Sequence, residues 1–285
     1  MLLDFIKLAR YNKPNGAFLL FYPCIWSLAL TNINIKMFAF YSFLFLLGAF
    51  SMRAAGCIWN DYIDKDIDIK VKRTKDRPLA SKKITIKNAF FFMFLNLLLA
   101  LLVLLTLPNK SIYICLFSIP LIIFYPYMKR IIWFPQVFLG IVFNWGIFIG
   151  WTTGTENYPA PFLYLIYLAT VIWTTGYDTA YGFQDIDDDI KANIKSTAIF
   201  FQNSGNKFIC LTLIISVFLL NLALYINNSN LITIILISII FLYLTMKSLK
   251  INLNMPSECL QLFNLNNFGG LLVSLVFILD MIFLR

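Results

Sequence analysis

Apolar runs follow one another along almost the whole chain, separated by short polar stretches. They lie at about 16–31, 37–59, 88–107, 111–128, 136–153, 160–181, 207–226, 230–247 and 262–284. A helix rises about 1.5 Å per residue, so each run approaches or exceeds the roughly 30 Å of a bilayer's hydrocarbon core. The pattern predicts an all-α integral membrane protein with nine transmembrane helices. No linker, low-complexity tract or second domain interrupts it, so residues 1–285 read as one polytopic domain.

The polar stretches differ in charge according to the side on which alternation places them. Nineteen Lys and Arg fall on one side, among them Lys7, Arg10 and Lys13, the nine of the 60–87 stretch, and Lys129 and Arg130. The other side holds Lys36, Lys110 and Arg285. The positive-inside rule therefore predicts a cytoplasmic N-terminus and an external C-terminus, with Asp-rich loops at about 60–87 and 182–206 both cytoplasmic. The net charge of +9 is then a topology signal that also suits membrane lipids with anionic headgroups, and it implies no nucleic-acid partner.

Composition narrows the chemistry. With 60% hydrophobic residues, 29 Phe and a mean hydropathy of +0.78, a water-soluble fold is excluded. "MLLDFIKLARYNKPNG" has an acid near its start and no small-residue cleavage site, so no secretory signal is expected, and no Arg/Ser-rich leader suggests organelle import. Abundant Ile, Lys, Asn and Phe hint at an AT-rich bacterial genome. The five cysteines show no paired spacing and read as buried thiols. There is no histidine, which removes zinc hydrolysis, His-based triads and His-ligated haem, and leaves hard cations on oxygen as the metal option.

Eight of the fourteen acids concentrate in two segments, Asp61, Asp64, Asp66 and Asp68, then Asp185, Asp187, Asp188 and Asp189. At about 100° per residue, Asn60, Asp64 and Asp68 fall at about 0°, 40° and 80°, one narrow stripe, and Arg53 projects between Asn60 and Asp64. Asp185 and Asp189 repeat the spacing of four, below Tyr177 and Tyr181. Both segments follow an apolar helix on the same side, which suggests an internal duplication. A solvated charged loop would not need this spacing, and carboxylates held so close repel one another unless a cation intervenes. Oxygen ligands of this kind suit Mg²⁺, which takes one or two carboxylates and shares its other positions with water and phosphate. A polar site at headgroup level, beside a central cavity between apolar helices, fits a phosphorylated head on a hydrocarbon tail, such as a prenyl diphosphate.

At these residues the chain resembles the UbiA-type membrane prenyltransferases. The first family motif, N-D-x-x-D-x-x-x-D, is matched by Asn60, Asp61, Asp64 and Asp68, and the second, D-x-x-x-D, by Asp185 and Asp189. "VKRTKDRPLASKKI", "RYNKPNGAFLLFYP" and "YPYMKRIIWFPQVFLG" are similar to family segments. "YDTAYGFQDIDDDIKANIKSTAIFF" is similar to the branch that acts on 4-hydroxybenzoate. The likeness covers nearly the whole chain, and beyond residue 205 only hydrophobicity matches. It implies transfer of a polyprenyl group from a polyprenyl diphosphate to the ring of 4-hydroxybenzoate, in ubiquinone biosynthesis at a bacterial inner membrane. By this resemblance, Asn60, Asp64, Asp68, Asp185 and Asp189 hold diphosphate through Mg²⁺, while Lys129, Arg130, Arg77 and Lys191 contact phosphate. Arg10 and Arg53 are the candidates for the aromatic carboxylate, and Tyr177, Asp178 and Tyr181 for the aromatic pocket. Asp185 or Asp188 would accept the proton, with Asp64 and Arg53 completing the reacting set. The alternatives are another acceptor (haem, naphthoate or homogentisate) and a cation-coupled transporter. Acids at the cytoplasmic edge rather than mid-membrane count against transport. Prenyl chain length and oligomeric state are not readable from the sequence.

Overall fold

The computed structural model describes residues 2–284, and among them the regular structure is entirely helical. Arg285, expected on the external side, therefore lies outside the described residues. A short surface helix, α1 (Leu2–Leu8), precedes α2 (Asn15–Ala29), α3 (Ile35–Asp68), α4 (Ile86–Leu104) and α5 (Asn109–Phe124). Then come α6 (Met128–Ile131), α7 (Pro135–Phe143), α8 (Gly146–Thr155) and α9 (Pro161–Gly182). The chain continues through α10 (Ile186–Lys191), α11 (Thr197–Phe200), α12 (Gly205–Ile226), α13 (Leu231–Lys250) and α14 (Pro256–Leu279).

Each of the nine apolar runs is helical. Seven helical segments are long and apolar enough to cross a membrane; α2 is shorter, and α9 is more polar. Their outer faces carry a dense apolar surface, including Phe91, Phe94, Leu102, Phe117, Phe218, Ile239 and Leu242. Soluble proteins do not expose contiguous apolar area on this scale. Inside, α2, α9 and α14 pack on one another, with Trp26 stacked on Trp173 at 5.9 Å.

Two boundaries depart from the hydrophobic pattern. The run at 37–59 continues as helix to Asp68, nine residues into what the pattern reads as a charged loop. Helix persists there because the acids it carries are neutralised by cations from other segments, so the backbone keeps its ladder. The run at 136–153 is two helices. Asn144 ends α7 by donating Nδ2 to Gly140 O and to Thr174 Oγ1, both at 2.8 Å, a side-chain competition that periodicity does not register. The stretch 182–206 also holds the short helices α10 and α11.

Helix α8 lies against α2 through Gly146, Gly150 and Gly154, one residue per turn on one face. A Cβ at Gly150 would stand 2.1 Å from Cys24 O, and one at Gly154 2.4 Å from Thr31 Oγ1. Small residues let the two backbones meet this closely, as in membrane helix pairs generally.

Candidate active site

The C-terminal ends of α3 and α9 meet at one end of the bundle, beside the loop after α3, the end of α5 and the start of α7. They enclose a cavity of about 170 Å³. Asn60, Asp64 and Asp68 line it from α3, Arg73 and Arg77 from the loop, Tyr125 and Lys129 from beyond α5, and Gln136 from α7. Asp178 and Tyr181 line it from α9, with Asp185, Asp189 and Lys195 closing the mouth. The two Asp-rich segments, 117 residues apart between Asp68 and Asp185, thus share one space.

Ion pairs hold this arrangement. Arg77 Nη1 bridges Asp68 at 2.8 Å and Asp61 at 3.1 Å, and Arg10 Nη2 holds both oxygens of Asp61 at 2.7 and 2.8 Å. Lys129 Nζ reaches Asp64 Oδ2 at 2.5 Å, while Arg130 donates to Ile63 O at 2.8 Å and more loosely to Asp64. Across the cavity Arg73 Nε meets both oxygens of Asp185 at 2.7 and 2.8 Å. Its Nη1 donates to Tyr181 OH at 2.8 Å, and its guanidinium lies 5.0 Å from that ring. Asp61 and Asp64 are 1% exposed, and such burial is tolerable for a carboxylate only when paired. Asp189 has no such partner among the described residues. Burial, and then the neighbouring Asp185 charge, push its carboxyl up to about 6.

The predicted residues divide. Asn60, Asp64, Asp68, Arg77, Lys129, Asp178, Tyr181, Asp185 and Asp189 share the cavity. Arg10 and Arg130 stand behind it, tied to Asp61 and Asp64. Asp188 lies outside, accepting the Lys72 N–H at 2.9 Å, and Lys191 is exposed to solvent. Tyr177 lines instead a smaller space deeper in the bundle, with Tyr22, Trp26, Asn144 and Trp173. Arg53 is not on the cavity wall. Its guanidinium lies 5.3 Å from the Phe143 ring centroid and against Gly16, with Nε buried and without a hydrogen-bond partner among the described residues. The stripe argument aimed it into the cavity, but the side chain leans toward α2 and α7 instead.

Four residues escaped the pattern, Lys195 among them as one more of the nineteen cations assigned to one side. Arg73 was one of nine cations in the 60–87 stretch, and a loop has no periodicity to single it out. Asp61 projects about 100° off the Asn60 stripe, so helical geometry discards it. Tyr125 read as one more aromatic at a helix end. For Asp61 the available signal was its own place in the N-D-x-x-D-x-x-x-D motif, where it was given no role.

The donor set fits a hard divalent cation. Every ligand candidate on the wall is an oxygen, from Asn60, Asp64, Asp68, Asp185 and Asp189. Among the described residues no three acids converge on one point. Such a cation would hence be held by one or two carboxylates at a time, which is how Mg²⁺ binds beside phosphate.

An apolar helical bundle with a carboxylate- and cation-lined mouth defines a membrane protein built to receive an anionic head on a greasy ligand. The sequence profile of the UbiA prenyltransferase family matches residues 20–268, and the chain belongs to that family. It is 36% identical over 271 residues to the 4-hydroxybenzoate octaprenyltransferase of Haemophilus ducreyi, covering 93% of this chain and 95% of that one. It is 45% identical over 201 residues to the mitochondrial 4-hydroxybenzoate polyprenyltransferase of Arabidopsis thaliana. That match covers 70% of this chain and 49% of the plant protein, so it spans about half the length of that relative. The structure of a UbiA homologue from Archaeoglobus fulgidus bound to GPP and Mg²⁺ superposes with a TM-score of 0.72 at 19% identity, over 96% of this chain and 99% of that one.

Proposed function

We propose that the protein transfers a polyprenyl group from a polyprenyl diphosphate to the ring of 4-hydroxybenzoate, as a nine-span protein of a bacterial cytoplasmic membrane with its N-terminus inside. The observation that carries this reading is the convergence of both Asp-rich segments and the cations Arg73, Arg77, Lys129 and Lys195 on one cavity at the polar end of an apolar bundle. The relatives named for this reaction support it.

In this reading Asn60, Asp64, Asp68, Asp185 and Asp189 hold Mg²⁺, which supplies Lewis-acid polarisation of the leaving diphosphate. Arg73, Arg77, Lys129 and Lys195 point at the same space and neutralise charge as it develops on the departing oxygen. Lys129 and Arg73, which pair with Asp64 and Asp185 here, would be free to contact the phosphates where those carboxylates hold the metal. The aromatic walls from Tyr125 and Tyr181 would exclude water and offer ring faces to the allylic cation. Arg53, desolvated and one hydrogen bond short, is the group positioned for the acceptor's carboxylate.

The purified full chain in detergent, given 4-hydroxybenzoate, a prenyl diphosphate and Mg²⁺, is expected to form prenylated hydroxybenzoate by mass spectrometry, and none in EDTA. Product with only a naphthoate, homogentisate or haem, or none with any acceptor, would overturn the reading.

A further inference from the structure

Five carboxylates line the cavity, and three of them are committed: Asp64 to Lys129, Asp68 to Arg77 and Asp185 to Arg73. Asp178 and Asp189 have no ion pair or side-chain hydrogen bond among the described residues. Asp189 stands at the mouth, among the metal-ligand candidates. Asp178 stands seven residues before Asp185, about two helical turns or ~10 Å nearer the middle of the bundle. The same interval separates Arg53 from Asn60 on α3. Each motif helix therefore places one ionisable group two turns beneath its first oxygen ligand, a guanidinium on α3 and a carboxylate on α9.

The two are within electrostatic reach of each other. The other groups that face Asp178 are Arg73 from the loop, Tyr125 from beyond α5, and Tyr177 beside it on α9. A carboxylate on the cavity wall and a guanidinium behind it, not paired with each other and each without a side-chain ion pair among the described residues, suit an aromatic ring with an anion at one end and an acidic hydroxyl at the other. The acids named from sequence for the proton serve less well. Asp185 is already assigned to the metal, and Asp188 is off the cavity and bonded to the Lys72 backbone.

We propose, resting on the hydroxybenzoate reading above, that Asp178 is the base that takes the acceptor's phenolic proton. As the proton moves to the carboxylate, the ring carbon ortho to the oxygen forms the new C–C bond. The C–O bond of the prenyl diphosphate breaks, and diphosphate leaves with its electron pair. The resulting dienone gives the ring hydrogen at the new bond, as a proton, to the departed diphosphate and regains a proton on oxygen from Asp178. One proton and one diphosphate are released per product.

The test compares the full chain and Asp178→Asn on 4-hydroxybenzoate and its 3-fluoro, 3-chloro and 3-nitro derivatives, whose phenols are progressively more acidic. On 4-hydroxybenzoate the variant should lose about 10²- to 10⁴-fold in kcat/KM, the range of general-base contributions. That deficit should shrink at least tenfold along the series, as the phenol ionises without help. Mg²⁺-dependent binding of an unreactive prenyl thiolodiphosphate should be unchanged. A deficit of the same size on every acceptor, or a variant of near wild-type rate, overturns the proposal. The wild type alone provides a readout that does not depend on the variant folding. Its rate should stay level or fall along the series, since the ring becomes a poorer nucleophile while ionisation is already supplied. A rate that climbs with phenol acidity overturns the assignment. A wild type that prenylates other acceptors but no hydroxybenzoate overturns the functional reading itself, a result distinct from either.

Discussion

Helix α3 runs unbroken through Asn60, Asp64 and Asp68, whereas α9 stops at Gly182 and leaves Asp185 and Asp189 to a 3₁₀ turn and a six-residue helix. The first segment is buried and multiply paired: Asp61 and Asp68 share Arg77, Arg10 adds to Asp61, and Lys129 holds Asp64. The second rests on one strong pair, Arg73 to Asp185, with Asp188 on a backbone N–H and Asp189 on no partner among the described residues. The two Asp-rich segments thus do different physical work. One is a frame whose geometry is set by internal charge before any ligand arrives. The other is a flap-like segment whose order depends on one arginine and whatever anion or cation replaces it.

The largest contrast should appear in stability. Asp61→Asn removes the charge between two arginines and leaves them facing each other, a loss of about 3–5 kcal/mol by analogy with other broken buried pairs. Asp188→Asn, on the half-buried second segment and without an ion pair among the described residues, should cost no more than about 1 kcal/mol. Thermal unfolding in detergent measures both, and equal shifts would end the distinction between frame and flap.

A smaller effect sharpens it through pH. The Asp189 carboxyl is raised to about 6, above the usual carboxylate range, so it is increasingly protonated as pH falls through 6. The sign follows: its ionisation costs folding stability above pH 6, and that cost is relieved below it. Below pH 6 a metal must also displace its proton. The Mg²⁺ concentration for half-maximal turnover should therefore rise about tenfold from pH 7 to pH 5, and Asp189→Asn should flatten that slope. A dependence unchanged in the variant would assign the effect elsewhere.

The smallest expected effect lies beneath the frame. A Cβ at Gly16 would fall 2.5 Å from Arg53 Nε, so Gly16→Ala must push the guanidinium aside. The KM for hydroxybenzoate should rise several-fold while that for prenyl diphosphate holds. Equal changes in both would mean that Arg53 does not serve the acceptor.

Much of this was legible beforehand, and the limits have physical causes. Helix at the apolar runs and the Asn60–Asp64–Asp68 face follow from hydropathy and a 100° step, and both persist in the structure. The count of nine spans does not carry over: one run is split at Asn144, and seven segments among the described residues are long and apolar enough to cross a membrane. Hydropathy stops at Trp59, yet the helix does not, because the charge that ends an apolar run is cancelled by Arg10, Arg77 and Lys129, remote in sequence. For the same reason Arg73 and Asp61 were invisible. Their importance comes from which distant residue meets them, and no local period encodes that. The lean of Arg53 toward Phe143 depends on the missing side chain of Gly16, a vacancy on another helix.

The pairing of Arg10, Asp61, Arg77 and Asp68 has a consequence for how the protein is made. All four partners lie within residues 10–77, so this set of charges is complete on the growing chain before Lys129, and well before Asp185, has been synthesised. Chains emerge from the ribosome at about 5–20 residues per second, which separates Arg77 from Asp185 by roughly 5–20 seconds. During that interval the first half of the site holds its own charges neutral at the membrane edge. The second half then docks onto a partner already assembled, and the order of translation becomes the order of assembly.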